Sequence, residues 1–340
     1  MNKSWAAIKA ITYHLPDQKL TNEQLAQEFQ EWVVEKIYEK TGIAERRVAA
    51  ADECASDLGV IAAEKLFASG ACSPQDIDFL IFCTQTPDYF LPASACLMQE
   101  KLGLSTCCGA FDVNLGCSGY IYGLALAKGL IEAGLSQNIL LITGDTYTKL
   151  IHPKDKSVRT LFGDGASATL ICGNAYKECI GPFIFGTDGR GAEKLIVPAG
   201  GFRKPLGPEM IIEIQDTSGN IRSPKNLYMN GPDILNFTLR EVPKAVNELL
   251  LKNNMTTNDI DYFVFHQANK FILESLRKKI NLPKDKFLLN LEYHGNTVST
   301  SIPLLLSFAL NNKIIYKGNK ILLSGFGVGF SWGACLIEII

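Results

Sequence analysis

The strongest constraint on this chain is an internal repeat. "DIDFLIFC" begins at Asp76, and "DIDYFVFH" begins at Asp259, 183 positions later. "NILLITGD" from Asn138 resembles "KILLSGFG" from Lys320, at an offset of 182. One such match fits two unrelated buried strands. Two matches nearly in step fit a duplication of about half the chain. The 340 residues then divide into an N-terminal half, 1–175, and a C-terminal half, 176–340, with the seam in "CGNAYKECIGP". Duplicated halves meet face to face, and their junction is a natural place for a site.

The local pattern agrees with such halves. "FLIFC", "ILLIT", "SATLIC", "YFVFH", "KILLSGF" and "ACLIEII" are short apolar runs without polar alternation. That is the signature of strands covered on both faces. Helical stretches lie between them. Two of these end at Gly103 and Gly134, where glycine tolerates the left-handed turn that closes a helix. "GPDILNFTLREVPKAVNELLLKNN" and "KFILESLRKKI" are amphipathic, and Pro243 is expected to kink or restart the first. Strands alternating with helices predict an α/β protein with mainly parallel sheets. Residues 187–223 are rich in Gly and Pro and read as a long loop insertion of the kind that covers sites.

Charge and cysteine usage exclude several classes. A net charge of -2 gives no field for nucleic acid or an anionic membrane. No apolar stretch reaches the roughly 18 residues of a membrane span, and the N-terminus lacks a signal-peptide core. The 10 cysteines show no C-x-x-C pair and no zinc-like spacing with His. They predict reduced thiols in a cytoplasmic chain, most of them small buried hydrophobes. "LFGDGASATL" lacks the spacing of a nucleotide-phosphate loop.

Four segments carry candidate chemistry. In "FDVNLGCSGYIYG", Cys117 falls on a strand-to-helix turn between Gly116 and Gly119. A helix N-terminus there favours a thiolate; a packed core cysteine fits the same segment. His266 ends the repeated strand in "HQAN", at the strand tip where α/β proteins bind ligands, although a structural histidine fits equally. Asn296 follows "HG" in a turn before a Ser/Thr-rich helix start, which a plain capped turn also explains, and His294 is a competing imidazole. The glycines at 325, 327 and 329 form either a tight hairpin or a loop presenting a backbone N–H to an oxyanion.

Taken together, seven segments in order resemble the β-ketoacyl-acyl carrier protein synthase III family of the thiolase superfamily. They are "KTGIAERRVAA" (40–50), "TPDYFLPASACLMQEKLG" (86–103), "FDVNLGCSGY" (111–120), "LFGDGASATL" (161–170), "HQAN" (266–269), "HGNT" (294–297) and "GFGVGFSWGA" (325–334). The resemblance implies a five-layered αβαβα thiolase fold, a homodimer, and no metal or redox cofactor. It implies a catalytic set of Cys117, His266 and Asn296, with the backbone N–H groups of Cys117 and Val328 as oxyanion hole. The implied reaction is a ping-pong, decarboxylating Claisen condensation of an acyl-CoA primer, held on Cys117, with malonyl-acyl carrier protein.

The chain departs from the family around the substrate. Lys36 and Lys40 stand where many members carry a Trp and an Arg that hold CoA, and Trp32 lies four residues before the first of these positions. Lys156 replaces a common Arg, and Phe271 replaces a basic residue. The resemblance implies substrate contacts for Lys40, Thr41, Lys156 and Asn269, and places Leu91 where a partner subunit's side chain limits the primer pocket. Within the family some members pass the cysteine-bound acyl group to an amine or hydroxyl, and the altered CoA positions leave that acceptor chemistry open. A thiolase would need a second cysteine near "GFGVGF", and Cys335 comes too late.

Overall fold

The computed structural model describes residues 4–29 and 33–340, so Trp32 lies outside the described residues. Two main sheets carry the fold. In the first, the strand order is Trp5–His14, Gly165–Ala175, Asn138–Asp145, Phe79–Cys83, Gly109–Val113. In the second it is Ile180–Thr187, Ser331–Glu338, Lys320–Gly327, Tyr262–Phe265. The repeated sequences occupy matching places: Phe79–Cys83 beside Asn138–Asp145, and Tyr262–Phe265 beside Lys320–Gly327, each pair parallel. Where the first sheet has a fifth strand, the second has a single parallel bridge between Phe263 and Phe287.

Both sheets are mixed rather than mainly parallel. Asn138–Asp145 runs antiparallel to Gly165–Ala175, which is antiparallel to Trp5–His14. Lys320–Gly327 is antiparallel to Ser331–Glu338, which is antiparallel to Ile180–Thr187. In the second sheet the cause is the tight turn Val328–Phe330, too short for the crossover that a parallel pair needs.

Alternation within each apolar run explains the layers. Ile81, Ile139 and Leu141 face a central helical layer, while Leu80, Phe82, Leu140 and Ile142 face an outer one. Val264, Ile321 and Leu323 face the same central layer from the other side, and Phe263, Phe265 and Leu322 face outward. The helices Gly119–Glu132 and Ser301–Asn311 fill the centre. Ala55–Ala68 and Ser94–Lys101 cover one outer face, and Gly231–Lys252 and Lys270–Ile280 cover the other. The result is the five-layered αβαβα arrangement of the thiolase fold.

Pro243 does not restart its helix, which is continuous over Gly231–Lys252. Val242, Ala245 and Val246 on either side are buried against the second sheet, and this packing carries the helix through the proline. The insertion at 187–223 is irregular, with short 3-10 turns and one small hairpin, Ile214–Gln215 with Ile221–Arg222. Among the described residues no helix is long and apolar enough to cross a membrane.

Candidate active site

The turn that carries Cys117 is built by close backbone approach. Cys117 directly precedes Ser118, the N-cap of the helix Gly119–Glu132. A Cβ on Gly119 would sit 2.3 Å from Cys83 Sγ, and one on Gly325 would sit 2.8 Å from the Cys117 carbonyl oxygen. One on Gly327 would lie 2.9 Å from both Cβ and Sγ of Cys117. The glycines therefore form a tight hairpin and also press it onto the cysteine. The Ser118 and Ser331 hydroxyls, 2.8 Å apart, lock turn and hairpin together.

At this helix N-terminus burial acts against the expected thiolate. Burial pushes the Cys117 thiol up to about 12, and the Asp145 charge adds to it. The backbone N–H groups of Val328 and of Cys117 itself act on the sulfur and oppose the shift only partly. Desolvation opposes the helix end and favours the neutral thiol.

His266 follows the strand Tyr262–Phe265, and its Nδ1 lies 2.7 Å from Ser301 Oγ. Ser301 Oγ also accepts from the Gln267 backbone N–H at 3.2 Å. The hydroxyl proton is thereby turned toward Nδ1, and the ring proton is assigned to Nε2. Burial lowers the imidazole to about 3, against a small opposing pull from the Val298 carbonyl. His266 is therefore a neutral donor. Phe326 sits edge-to-face with it at 5.5 Å.

Asn296 is held from both sides by backbone. Its N–H donates to Leu161 O at 2.8 Å, and its carbonyl accepts from Gly163 N–H at 3.0 Å. Its Oδ1 accepts from Val298 N–H at 2.9 Å, which leaves the side-chain NH2 as the group available to a ligand. Val298 pays for this bend with φ 52°, a left-handed conformation unusual for a β-branched residue and typical of functional sites.

These three side chains line one cavity of about 1310 Å³. Its base includes Phe326 and Gly327, and apolar walls come from Leu195, Leu161 and Ile234. Lys36, Lys40, Lys156 and Arg222 also line it, with Lys36 and Lys40 exposed toward the mouth. Arg222 is held by Asp155 at 2.6 Å and Asp216 at 2.5 Å. Lys156 lies over the Phe29 ring at 5.3 Å. Thr41 lines the cavity, but its hydroxyl already donates to Ile37 O. Asn269 lines it too, with Oδ1 capping the helix Lys270–Ile280.

Two sequence candidates fall elsewhere. His294 is buried, lowered to about 4 by burial, and is not among the cavity's lining residues. Leu91 is 80% exposed, on a loop beside Tyr89 and Phe90, and does not line this chain's own cavity. Conversely, Ser301, Phe326 and Asp145 were not singled out by the sequence. Asp145 ends a strand and is fully buried near Cys117, where burial raises its carboxyl to about 7. Among the described residues no cluster of three or more His, Cys, Asp or Glu side chains is placed to hold a metal ion.

Comparison with known proteins follows the same outline. Residues 111–189 match the family described as 3-oxoacyl-[acyl-carrier-protein] synthase III, and residues 250–339 match its C-terminal part. A β-ketoacyl-[acyl-carrier-protein] synthase III of Caldanaerobacter subterraneus subsp. tengcongensis is 35% identical over 338 residues, covering 98% of this chain and 97% of that protein. One from Fusobacterium nucleatum is 36% identical over 336 residues, covering 97% and 98%. A crystal structure of a 3-oxoacyl-(acyl-carrier-protein) synthase III superposes with a TM-score of 0.98 at 54% identity, covering 98% of this chain and 100% of that one. The 3-oxoacyl-(acyl-carrier protein) synthase of Burkholderia xenovorans gives 0.90 at 38% identity, covering 99% and 95%. With relatives this similar over nearly its whole length, the chain belongs to the β-ketoacyl-acyl carrier protein synthase III family of the thiolase superfamily, a family of acyl-transferring enzymes.

Proposed function

We propose that this chain catalyses the decarboxylating condensation of an acyl-CoA primer with malonyl-acyl carrier protein, using Cys117, His266 and Asn296. The observation that carries the reading is their convergence in one cavity, beneath a hairpin whose Val328 N–H reaches the thiol. In the first step Cys117 sulfur attacks the primer thioester, and the thiol proton ends on the departing CoA thiol. The CoA sulfur is the better leaving group of the two, because it departs toward solvent, where a thiolate is better stabilised than at the buried cysteine, and it then takes up the proton. The N–H groups of Val328 and Cys117 stabilise the tetrahedral oxyanion.

In the second step the malonyl carbon–carbon bond breaks, CO2 leaves, and the electron pair becomes an enolate. The Nε2–H of His266 and the NH2 of Asn296 donate to the enolate oxygen. Neither carries a charge to protonate the carbanion, which attacks the acyl-cysteine carbonyl. Collapse releases the β-ketoacyl product and returns Cys117 to the thiol with a proton from solvent. The residues 1–175 would supply the nucleophile and 176–340 the two donors. This sequence needs no metal or redox cofactor.

Lys40, Lys156, Thr41 and Asn269 are assigned to the CoA and pantetheine arm because all four line the cavity. A homodimer is assigned because Tyr89, Phe90 and Leu91 are 62%, 76% and 80% exposed and the strand Gly109–Val113 leaves one sheet edge unpaired. In that dimer Leu91 reaches the partner's cavity.

Intact-mass analysis after incubation with a panel of acyl-CoAs tests the first step. A gain of one acyl group, mapped to Cys117, is expected; acylation elsewhere, or none with any primer, would refute it. Release of labelled CO2 from malonyl-acyl carrier protein separates condensation from acyl transfer to an amine or hydroxyl, which needs none. A further prediction concerns Gly327. Alanine there must displace the sulfur or the Val328 N–H, so acyl loading should slow by about 10²-fold while far-UV circular dichroism is unchanged.

A further inference from the structure

Arg46 is a buried cation that the condensation leaves without a task. It lies on the short strand Glu45–Val48 and is 0% exposed, among the largest fully buried side chains of the chain. An arginine is costly to bury unless its donors find partners. Its guanidinium donates to neutral acceptors: Nε to Thr160 O at 2.8 Å, Nη1 to Asn22 Oδ1 at 2.5 Å and Nη2 to Ile43 O at 3.4 Å. Asn22 opens the helix Asn22–Glu28, and its own Nδ2 donates to Ile43 O at 2.8 Å.

Thr160 begins the wall that holds Asn296. The next carbonyl, Leu161 O, accepts from Asn296 N–H, and Gly163 N–H donates to Asn296 O. Phe162 and Asn296 form a parallel bridge between these two contacts. From the other side Gly295, at φ 75°, closes over the arginine's stem. A Cβ added there would lie 3.1 Å from Arg46 Cγ and 2.8 Å from Leu161 O. The backbone on either side of Arg46 grips the same loop: Glu45 N–H donates to Glu292 O at 3.1 Å, and Arg47 N–H to His294 O at 3.5 Å. Arg46 thus stands where wall and loop meet, with its guanidinium on the wall and its stem against the loop.

We propose that Arg46 is a positioning residue for Asn296: it fixes the wall 160–163 against the loop 292–296 and so sets where the amide donor meets the enolate oxygen. The inference rests on Asn296 being an enolate donor. Arg46 is not among the residues lining the cavity, so it acts through backbone that others present to the substrate.

A double-mutant cycle separates this role from plain support of the fold. With saturating malonyl-acyl carrier protein, Arg46→Met should lower CO2 release by about 10- to 100-fold, since misplacing a reacting group by about 1 Å costs up to that much. Acyl loading of Cys117, on a different element, should stay within about twofold of the natural protein. In the Asn296→Ala background the same substitution should leave CO2 release unchanged, because the group it positions is gone. General loosening would lower loading and release together, or cost the same factor in both backgrounds. Either result overturns the proposal, as does normal release by Arg46→Met. Arg46→Lys is the second variant, should the methionine fail to fold. It keeps charge and stem, but one ammonium cannot span Thr160 O and Asn22 Oδ1 as the guanidinium does. Its loss of CO2 release should be about 3- to 10-fold and should vanish in the Asn296→Ala background; normal release, or a loss that persists there, overturns the proposal. Normal CO2 release by Asn296→Ala alone would instead refute the condensation reading, and this proposal with it.

Discussion

Replacing Cys117 by alanine is expected to abolish the acyl-enzyme and lower condensation by about 10³-fold or more, as removal of a covalent nucleophile does. The structure makes this variant clean. The side chain is 4% exposed, and deleting one sulfur leaves the close approach of Gly325 to the Cys117 carbonyl unchanged. No neighbouring thiol substitutes for it: Cys83 is fully buried, packed against the backbone of Gly119, and donates to Leu115 O. Mass analysis with a reactive acyl-CoA measures the result, and an acyl group still bound to the variant would remove Cys117 from the mechanism. Malonyl decarboxylation should outlast the change, because its two donors come from other elements.

Asn296→Ala is expected to split the reaction in the opposite way. Acyl loading on Cys117 continues, while malonyl decarboxylation falls by about 10²–10³-fold, the usual cost of losing one donor to a developing oxyanion. The argument rests on orientation. Val298 N–H fixes Oδ1, so the NH2 is what the substrate meets. Alanine also leaves that Val298 N–H without its acceptor, at a cost of about 1–3 kcal/mol in stability. A thermal melt reports that cost separately from the rate. Single-turnover assays of loading and CO2 release decide the assignment: normal condensation by this variant would contradict the role given to Asn296.

The sequence carried the strands and the order of the reactive segments because both are local. Apolar runs such as "FLIFC" and "YFVFH" show burial on both faces directly, and the repeat alone places His266 at a strand tip. Strand direction was not legible, because "SATLIC" is equally apolar in a parallel or antiparallel pair. The upward push on the Cys117 thiol was hidden for a different reason. A helix N-terminus is visible in sequence, whereas the desolvation that opposes it arises only once the hairpin at Gly327 closes over the sulfur. Asp145 and Ser301 were missed because their partners are distant along the chain: Ser299 for one and His266 for the other. Leu91 illustrates the last gap, since a residue assigned to a partner's cavity has no signature within its own chain.

The central helices Gly119–Glu132 and Ser301–Asn311 behave as a gauge block between the two sheets. Cys117 stands at the start of one and the Asn296 segment leads into the other. Ile121, Leu124, Ile302 and Leu305 are among the buried side chains that fill that block. It is filled tightly enough that a Cβ on Gly333 would lie 3.0 Å from Ile121 Cγ2. A change of one methylene there is expected to alter the gap between sulfur and amide while leaving every reacting group intact. Core volume in this layer is thus expected to act on rate through residues that never meet a substrate.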